Sequence, residues 1–368
     1  MIVTREQGTN MVKEAYAKYK AIAVYYATGF GKTKAALDSV SKEWGYEAIK
    51  DSGLIVCHTE TSRDDTWPTE IKKWFGSDVD KYADISFTCY QSLDKYIGQK
   101  FKWVILDEAH YLTPNYYSSL QRISYDGIVL LTATEPEDPY KRELLHTLSK
   151  GHTLKIELDD AVKSKVLNDY RIRMWEIELT ASEWSEYVRL SKLVQTAAIQ
   201  GNDFMKKKYG GDRMRFIYNC ETKLKGGIYL RDKIRETGKR FAIFAGSIAT
   251  VEKLTPYVMH SGVSDRDFKR FCAGEINEIG SIKQIQEGAN IPRLESSLIQ
   301  QLNSKQLKMI QTVGRNMRLD PTEVAIIHVL VAKNTVDQNW AESAMKGFDK
   351  SKITRHRILH QDIQNIQI

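Results

Sequence analysis

A six-residue apolar run, Ala21-Ile22-Ala23-Val24-Tyr25-Tyr26, leads directly into Ala27-Thr28-Gly29-Phe30-Gly31-Lys32-Thr33, and this junction constrains the chain more than any other stretch. The run has the length of a buried strand, and the Lys-, Ala- and Leu-rich stretch after it reads as a helix. A glycine turn between strand and helix lets backbone N–H groups face a phosphate on the positive helix end. Lys32 would then reach the β/γ-phosphates of a nucleotide, and the Thr33 hydroxyl would sit on Mg²⁺. Tyr26 stands where the general phosphate-loop pattern has its first glycine, so the rest of the chain must decide. Phe30 reads as a tolerant position between the two glycines.

The rest of the first 150 residues repeats the same rhythm. A helix is expected from Glu6 to Lys20. Apolar strands are expected at Gly53 to His58, Ile85 to Tyr90, Phe101 to Leu106 and Gly127 to Leu131. Pro68 suits the first turn of a helix whose apolar face carries Trp67, Ile71, Trp74 and Phe75. Short apolar strands alternating with helical stretches, with no hairpin signal, predict a parallel α/β sheet. Beyond Lys150 the pattern shifts to extended segments at Leu154 to Leu158 and Tyr170 to Leu179, then a helix from Ala181 to Gln200. The glycines of Lys206-Lys207-Lys208-Tyr209-Gly210-Gly211-Asp212-Arg213 predict a loop. Alternation resumes at Phe241 and continues to Val331, and Thr335 to Ile368 reads as helix with a basic tail. The expected division is therefore 1–150, 151–334 and 335–368.

At 368 residues there is room for two domains, each with its own core. No apolar run reaches membrane-spanning length, and the N-terminus has no signal-peptide core. Cys57, Cys89, Cys220 and Cys272 are scattered singly, which argues against structural zinc and for a reducing compartment. The net charge of +7 is uneven: residues 1–150 carry 19 basic against 21 acidic residues, the remainder 35 against 26. A basic second half suits a polyanion, although a solvated surface gives the same count.

Two further constellations carry chemistry. Asp107-Glu108-Ala109-His110 follows the apolar strand ending at Leu106, which places two carboxylates at the sheet rim beside the phosphate loop. Asp107 suits Mg²⁺, and Glu108 suits orientation or deprotonation of an attacking water. In the second half, Gln311-Thr312-Val313-Gly314-Arg315-Asn316-Met317-Arg318 puts two arginines three residues apart, on one face of a helix or tight turn. An arginine from a second lobe can stabilise charge building on a γ-phosphate; a basic helix face is the alternative.

With these residues in hand, the chain resembles superfamily 2 helicases and translocases of the DEAH-bearing type, from about Arg5 to Leu330. The phosphate loop, the acid pair with its His, Thr132-Ala133-Thr134, and the Gln-x-x-Gly-Arg-x-x-Arg stretch are similar to motifs I, II, III and VI. Phe241 to Ser247 resembles motif IV and Gln286-Glu287-Gly288-Ala289-Asn290-Ile291-Pro292 resembles motif V. The compactness resembles phage-encoded helicases of the UvsW-like sort. The resemblance implies two RecA-like parallel-sheet lobes, a P-loop NTPase helicase core with ATP in the cleft and nucleic acid across both lobes. It implies nucleotide contacts from Thr28, Gly29, Gly31, Lys32, Thr33, Gly288, Asn290 and Gln311, with Gln7 as a loose match for an adenine reader. Thr33 and Asp107 would hold Mg²⁺, and Asp107, Glu108, Lys32, Arg315 and Arg318 would carry hydrolysis. His110, Thr132 and Thr134 would couple hydrolysis to lobe movement.

Nucleic-acid contacts implied by the same resemblance fall on Thr59, Thr61, Thr88, Gln91, Ser92 and Ser247, small polar groups at strand ends that suit phosphate oxygens. For Thr61 and Ser92 helix capping is an equal alternative. Trp67 suits either stacking on a base or packing against its helix. Lys206, Lys207 and Lys208 read either as a grip on a strand or a duplex or as part of a mobile surface loop. The expected activity is ATP-dependent movement along, unwinding or remodelling of nucleic acid, DNA before RNA, in the cytoplasm (the host's, for a phage-encoded chain). A monomer is compatible with this; no membrane partner is expected. The alternatives are a nucleic-acid-binding scaffold with a regulatory ATP site and a terminase-like DNA packaging ATPase.

Overall fold

The computed structural model describes residues 3–44, 52–75, 84–260, 262–282, 293–301 and 322–368. The chain forms two units, Met1–Leu167 and Asn168–Ile368.

The first unit runs α1 (Arg5–Tyr19), β1 (Ala21–Tyr26), α2 (Lys32–Trp44), β2 (Gly53–Cys57), α3 (Trp67–Phe75), β3 (Ile85–Cys89), β4 (Lys100–Leu106), α4 (Pro114–Leu120), β5 (Ser124–Thr132), α5 (Pro139–Leu148), β6 (Thr153–Ile156) and α6 (Leu158–Lys163). The strands pair in the order β3-β2-β4-β5-β1-β6, and every pairing is parallel. All six residues of β1 and all five of β2 are buried, as a sheet covered on both faces requires. Leu54, Val56, Val104, Leu106, Ile128 and Leu130 form the centre of one core layer. Because the strands are parallel, β4, β5 and β1 end side by side, and the acid pair, Thr132 and the phosphate loop share one edge of the sheet. The first unit extends past the expected limit at 150. Residues 153–156 pair with β1, so the segment after Lys150 completes this sheet.

The second unit runs β7 (Asp169–Ile177), α7 (Ala181–Ile199), α8 (Asp203–Asn219), α9 (Glu221–Arg235), β8 (Phe241–Phe244), α10 (Ile248–Leu254), β9 (Val258–Met259), α11 (Arg266–Ala273), β10 (Glu278–Ser281), β11 (Ser296–Ile299), β12 (Val324–Ala332), α12 (Val336–Ala344), β13 (Ile353–Ile358) and α13 (His360–Ile363). Its seven strands among the described residues, in the order β13-β7-β12-β11-β8-β10-β9, are also all parallel. Two expectations differ here. The stretch 206–213 is helical, inside α8, because the glycines keep helical backbone, Asn202 caps the start and the helix packs on α7. Residues 335–368 are no separate tail, since β13 pairs with β7 at the sheet edge. Gly288, Asn290, Gln311, Arg315 and Arg318 lie outside the described residues.

Candidate active site

The phosphate loop is anchored at both ends. Ala27 N donates to Ile156 O of β6 (3.0 Å), and Ala35 N donates to Gly31 O (3.0 Å) as α2 begins. Gly29 and Gly31 have φ of 87° and 109°, where any Cβ would be strained. Phe30 is 2% exposed and no tolerant position. It packs edge-on to Tyr26, with ring centroids 5.2 Å apart. A Cβ on Gly8 of α1 would come within 2.4 Å of Phe30 Cε1. The Tyr26 hydroxyl donates to Gly8 O (3.0 Å), so the tyrosine in place of a first glycine ties the strand end to α1. Burial holds the Tyr26 phenol well above the usual range.

Lys32 Nζ donates to Tyr26 O (2.9 Å), keeping the ammonium at the end of β1. Thr33 lies half-buried in the first turn of α2, whose N–H groups are the natural anion site. Thr28 Oγ1 is buried and has no hydrogen-bond partner among the described residues. Gln7, the candidate adenine reader, is exposed and uses its amide oxygen in a capping box with Thr4 N (2.8 Å).

Asp107 is the most heavily held side chain of the site. Its Oδ2 accepts from Trp67 Nε1 (2.9 Å) and Ser62 Oγ (3.2 Å), and its Oδ1 accepts from Glu108 N (3.0 Å). The Tyr90 hydroxyl donates to its carbonyl (2.9 Å). Burial and the adjacent Glu108 push the Asp107 carboxyl up to about 6, opposed by Trp67, the charge of Lys32 and Ser62. The parallel order β4-β5-β1 places the phosphate loop and the acid pair at one edge of the sheet. Glu108 adopts a left-handed backbone (φ 45°, ψ 53°), a strained conformation for a non-glycine residue. Its Oε2 is buried without a hydrogen-bond partner among the described residues, 3.3 Å from His110 Nδ1.

The three coupling candidates form a chain. Thr132 Oγ1 donates to Thr134 O (3.0 Å), so at the 3.1 Å contact between His110 Nδ1 and Thr132 Oγ1 the ring N–H is the donor. Lys141 of α5 donates to His110 O (2.8 Å) and fixes the other side of the turn.

The candidate nucleic-acid residues divide. Thr59 Oγ1 accepts from Ser62 N (3.1 Å) and therefore caps the turn, whereas Thr61 is exposed and makes no cap bond. Thr88 is 4% exposed, and its hydroxyl donates to Cys89 O (3.4 Å). Gln91 is exposed and Ser92 half-buried. Ser247 caps α10, accepting from Thr250 N (3.2 Å). Lys206, Lys207 and Lys208 are exposed on α8 with no ion pair among the described residues.

Sequence reasoning missed the holding role of Ser62, Trp67 and Tyr90. Trp67 is 1% exposed, which excludes base stacking and assigns its N–H to Asp107.

No protein-family model matches the chain. It is 24% identical over 379 aligned positions to the DNA 3'-5' translocase XPB2 of Sulfurisphaera tokodaii, covering 91% of this chain and 83% of that protein. Over 125 positions it is 26% identical to a protein of Acanthamoeba polyphaga mimivirus named as an ATP-dependent RNA helicase, covering 28% of this chain and 15% of that one. The crystal structure of the Pyrococcus furiosus Hef helicase domain matches with a TM-score of 0.57 at 13% identity, covering 94% of this chain and 100% of that one. The fold is that of two RecA-like lobes. Homology and fold together support a superfamily 2 helicase-type ATPase.

Proposed function

We propose that this chain is a nucleic-acid-stimulated ATPase that moves along, unwinds or remodels DNA in preference to RNA. One observation carries the reading: the parallel order β4-β5-β1 brings the phosphate loop and Asp107-Glu108 to the same edge of the first sheet. The residues fit ATP and Mg²⁺, because Thr28 Oγ1 and Glu108 Oε2 are buried polar atoms without a hydrogen-bond partner among the described residues. In this reading Lys32, Thr28 and the N–H groups at the start of α2 hold the phosphates, and Thr33 and Asp107 hold the metal. Mg²⁺ supplies neutralisation of phosphate charge when bound. Glu108 orients the attacking water and accepts its proton, and His110 passes the state of Glu108 to Thr132. Gly288, Asn290 and Gln311 are the proposed further nucleotide contacts. Arg315 and Arg318 are the proposed arginines of the second lobe.

The DNA preference draws support from the longer of the two sequence matches, to a protein named as a DNA translocase. The DEAH-type, compact phage-like subclass rests on the sequence resemblance alone. Thr61, Gln91, Ser92 and Lys206 to Lys208 are the proposed outward contacts. The deciding experiment compares phosphate release with single-stranded DNA, duplex, branched DNA and RNA at one salt concentration. Stimulation by DNA above RNA is expected. Release that no polynucleotide raises would return the chain to a scaffold with a regulatory ATP site.

A further inference from the structure

Between β2 and α3 the chain makes a single wide turn, Ser62–Thr66, closed by Trp67 N donating to Ser62 O. Residues five apart lie about 140° apart around an α-helix, on different faces. The wider i→i+5 turn brings positions 62 and 67 closer together around the axis, and such turns are frequent at functional sites. Here the two residues that close the turn are the two whose side chains meet on one atom, Asp107 Oδ2: Trp67 Nε1 at 2.9 Å and Ser62 Oγ at 3.2 Å. An ionised carboxylate has about four acceptor positions. Two on Oδ2 are filled by this turn and one on Oδ1 by Glu108 N, so the remaining position is on Oδ1.

We infer that Ser62 and Trp67 are a positioning pair that fixes the rotation of the Asp107 carboxylate and leaves one Oδ1 lone pair to receive Mg²⁺ or its bound water. The inference rests on the ATPase reading above and deepens it. Neither residue touches nucleotide; each acts through Asp107. The turn's width is the device, since an ordinary α-helical start would turn one of the two donors away. Trp67 supplies both the donor and, at 1% exposure, the packing that keeps the donor in place.

The test measures equilibrium binding of a fluorescent ATP analogue with Mg²⁺ and with EDTA, for the full chain and for Trp67→Phe and Ser62→Ala. Loss of one hydrogen bond to a charged group predicts that Trp67→Phe loses about tenfold of the Mg²⁺-dependent gain in affinity, with the EDTA affinity unchanged. Ser62→Ala, which removes only a hydroxyl, shifts the same ratio in the same direction by a smaller factor. Equal losses with Mg²⁺ and with EDTA would mean that Trp67 only packs the site, and would overturn the inference. Should Trp67→Phe fail to fold by circular dichroism, Ser62→Ala decides: a wild-type Mg²⁺ ratio overturns the pairing. Wild-type protein that binds no nucleotide under either condition sinks the ATPase reading and the inference with it.

Discussion

His110 Nδ1 stands 3.1 Å from Thr132 Oγ1, and this contact joins the turn after β4 to the end of β5. The same nitrogen lies 3.3 Å from Glu108 Oε2, so the imidazole faces the proposed water-orienting acid and its neighbouring strand at once. Thr132→Val keeps the shape and removes the oxygen. ATP binding should persist while polynucleotide-stimulated turnover falls on the order of tenfold, the scale of one buried hydrogen bond. Steady-state phosphate release with and without DNA, alongside nucleotide titration, checks it. A stimulation ratio equal to wild type would separate Thr132 from coupling.

The hydrolysis variants follow from the same site. Lys32→Ala should lose binding and turnover together. Glu108→Gln should bind ATP and not hydrolyse it. Arg315→Ala should spare ATP binding yet lower turnover by about three orders of magnitude, as loss of an arginine finger does. Turnover at the wild-type level from the Arg315 variant would remove the second lobe from the chemistry.

Gly8→Ala tests the support beneath the phosphate loop. The added Cβ would stand 2.4 Å from Phe30 Cε1 and 3.4 Å from Ile156 Cδ1. Overpacking of this kind costs about 1–3 kcal/mol, more than the roughly 0.5–1 kcal/mol that alanine returns within a helix. The variant should melt earlier and bind nucleotide more weakly, and Phe30→Leu in the same chain should restore part of both. An unchanged melting curve for Gly8→Ala would mean that α1 does not brace the loop.

How much of the fold and the site is legible in the sequence depends on range. The phosphate loop and the acid pair are local patterns, and strand–helix alternation predicts the parallel sheets that bring them to one edge. Gly210 and Gly211 mislead because intrinsic preference takes no account of α7, whose packing keeps α8 continuous. β13 is hidden in a polar stretch, since an edge strand with largely exposed side chains carries little apolar pattern. Trp67 offers a large aromatic at a helix start and nothing to show that its N–H meets a carboxylate forty positions on. Phe30 reads as free because Gly8, the residue that makes room for it, lies in another helix.

Lys206, Lys207 and Lys208 offer a salt-dependence test. Their replacement by alanine should leave the fold intact, since all three are exposed on α8. If they meet duplex phosphates, affinity drops and the slope of log affinity against log salt flattens by about 0.9 for each phosphate no longer neutralised. Fluorescence anisotropy with labelled DNA across a salt series measures both. An unaltered slope would leave the three lysines in bulk solvent.

Arg235 donates twice to Glu278, from Nε (2.5 Å) and Nη2 (2.5 Å), and Thr255 Oγ1 donates to Oε1 (2.6 Å). Burial raises the Glu278 carboxyl, but Arg235 and Thr255 outweigh it and hold the pKa below the ordinary 4.5. A depressed folded value means that the pair stabilises the fold fully above about pH 4.5 and less as pH falls through the folded pKa. Glu278→Gln should therefore cost about 1–3 kcal/mol at pH 7, the scale of hydrogen bonds to a charged partner. The gap should narrow progressively below about pH 4.5, where Glu278 of the unfolded chain takes up its proton before the native one does. Urea unfolding of both proteins at neutral pH and well below the ordinary carboxylate range measures the gap. A gap that stays constant with pH would assign the loss to packing at β10, not to the charge that Arg235 reads.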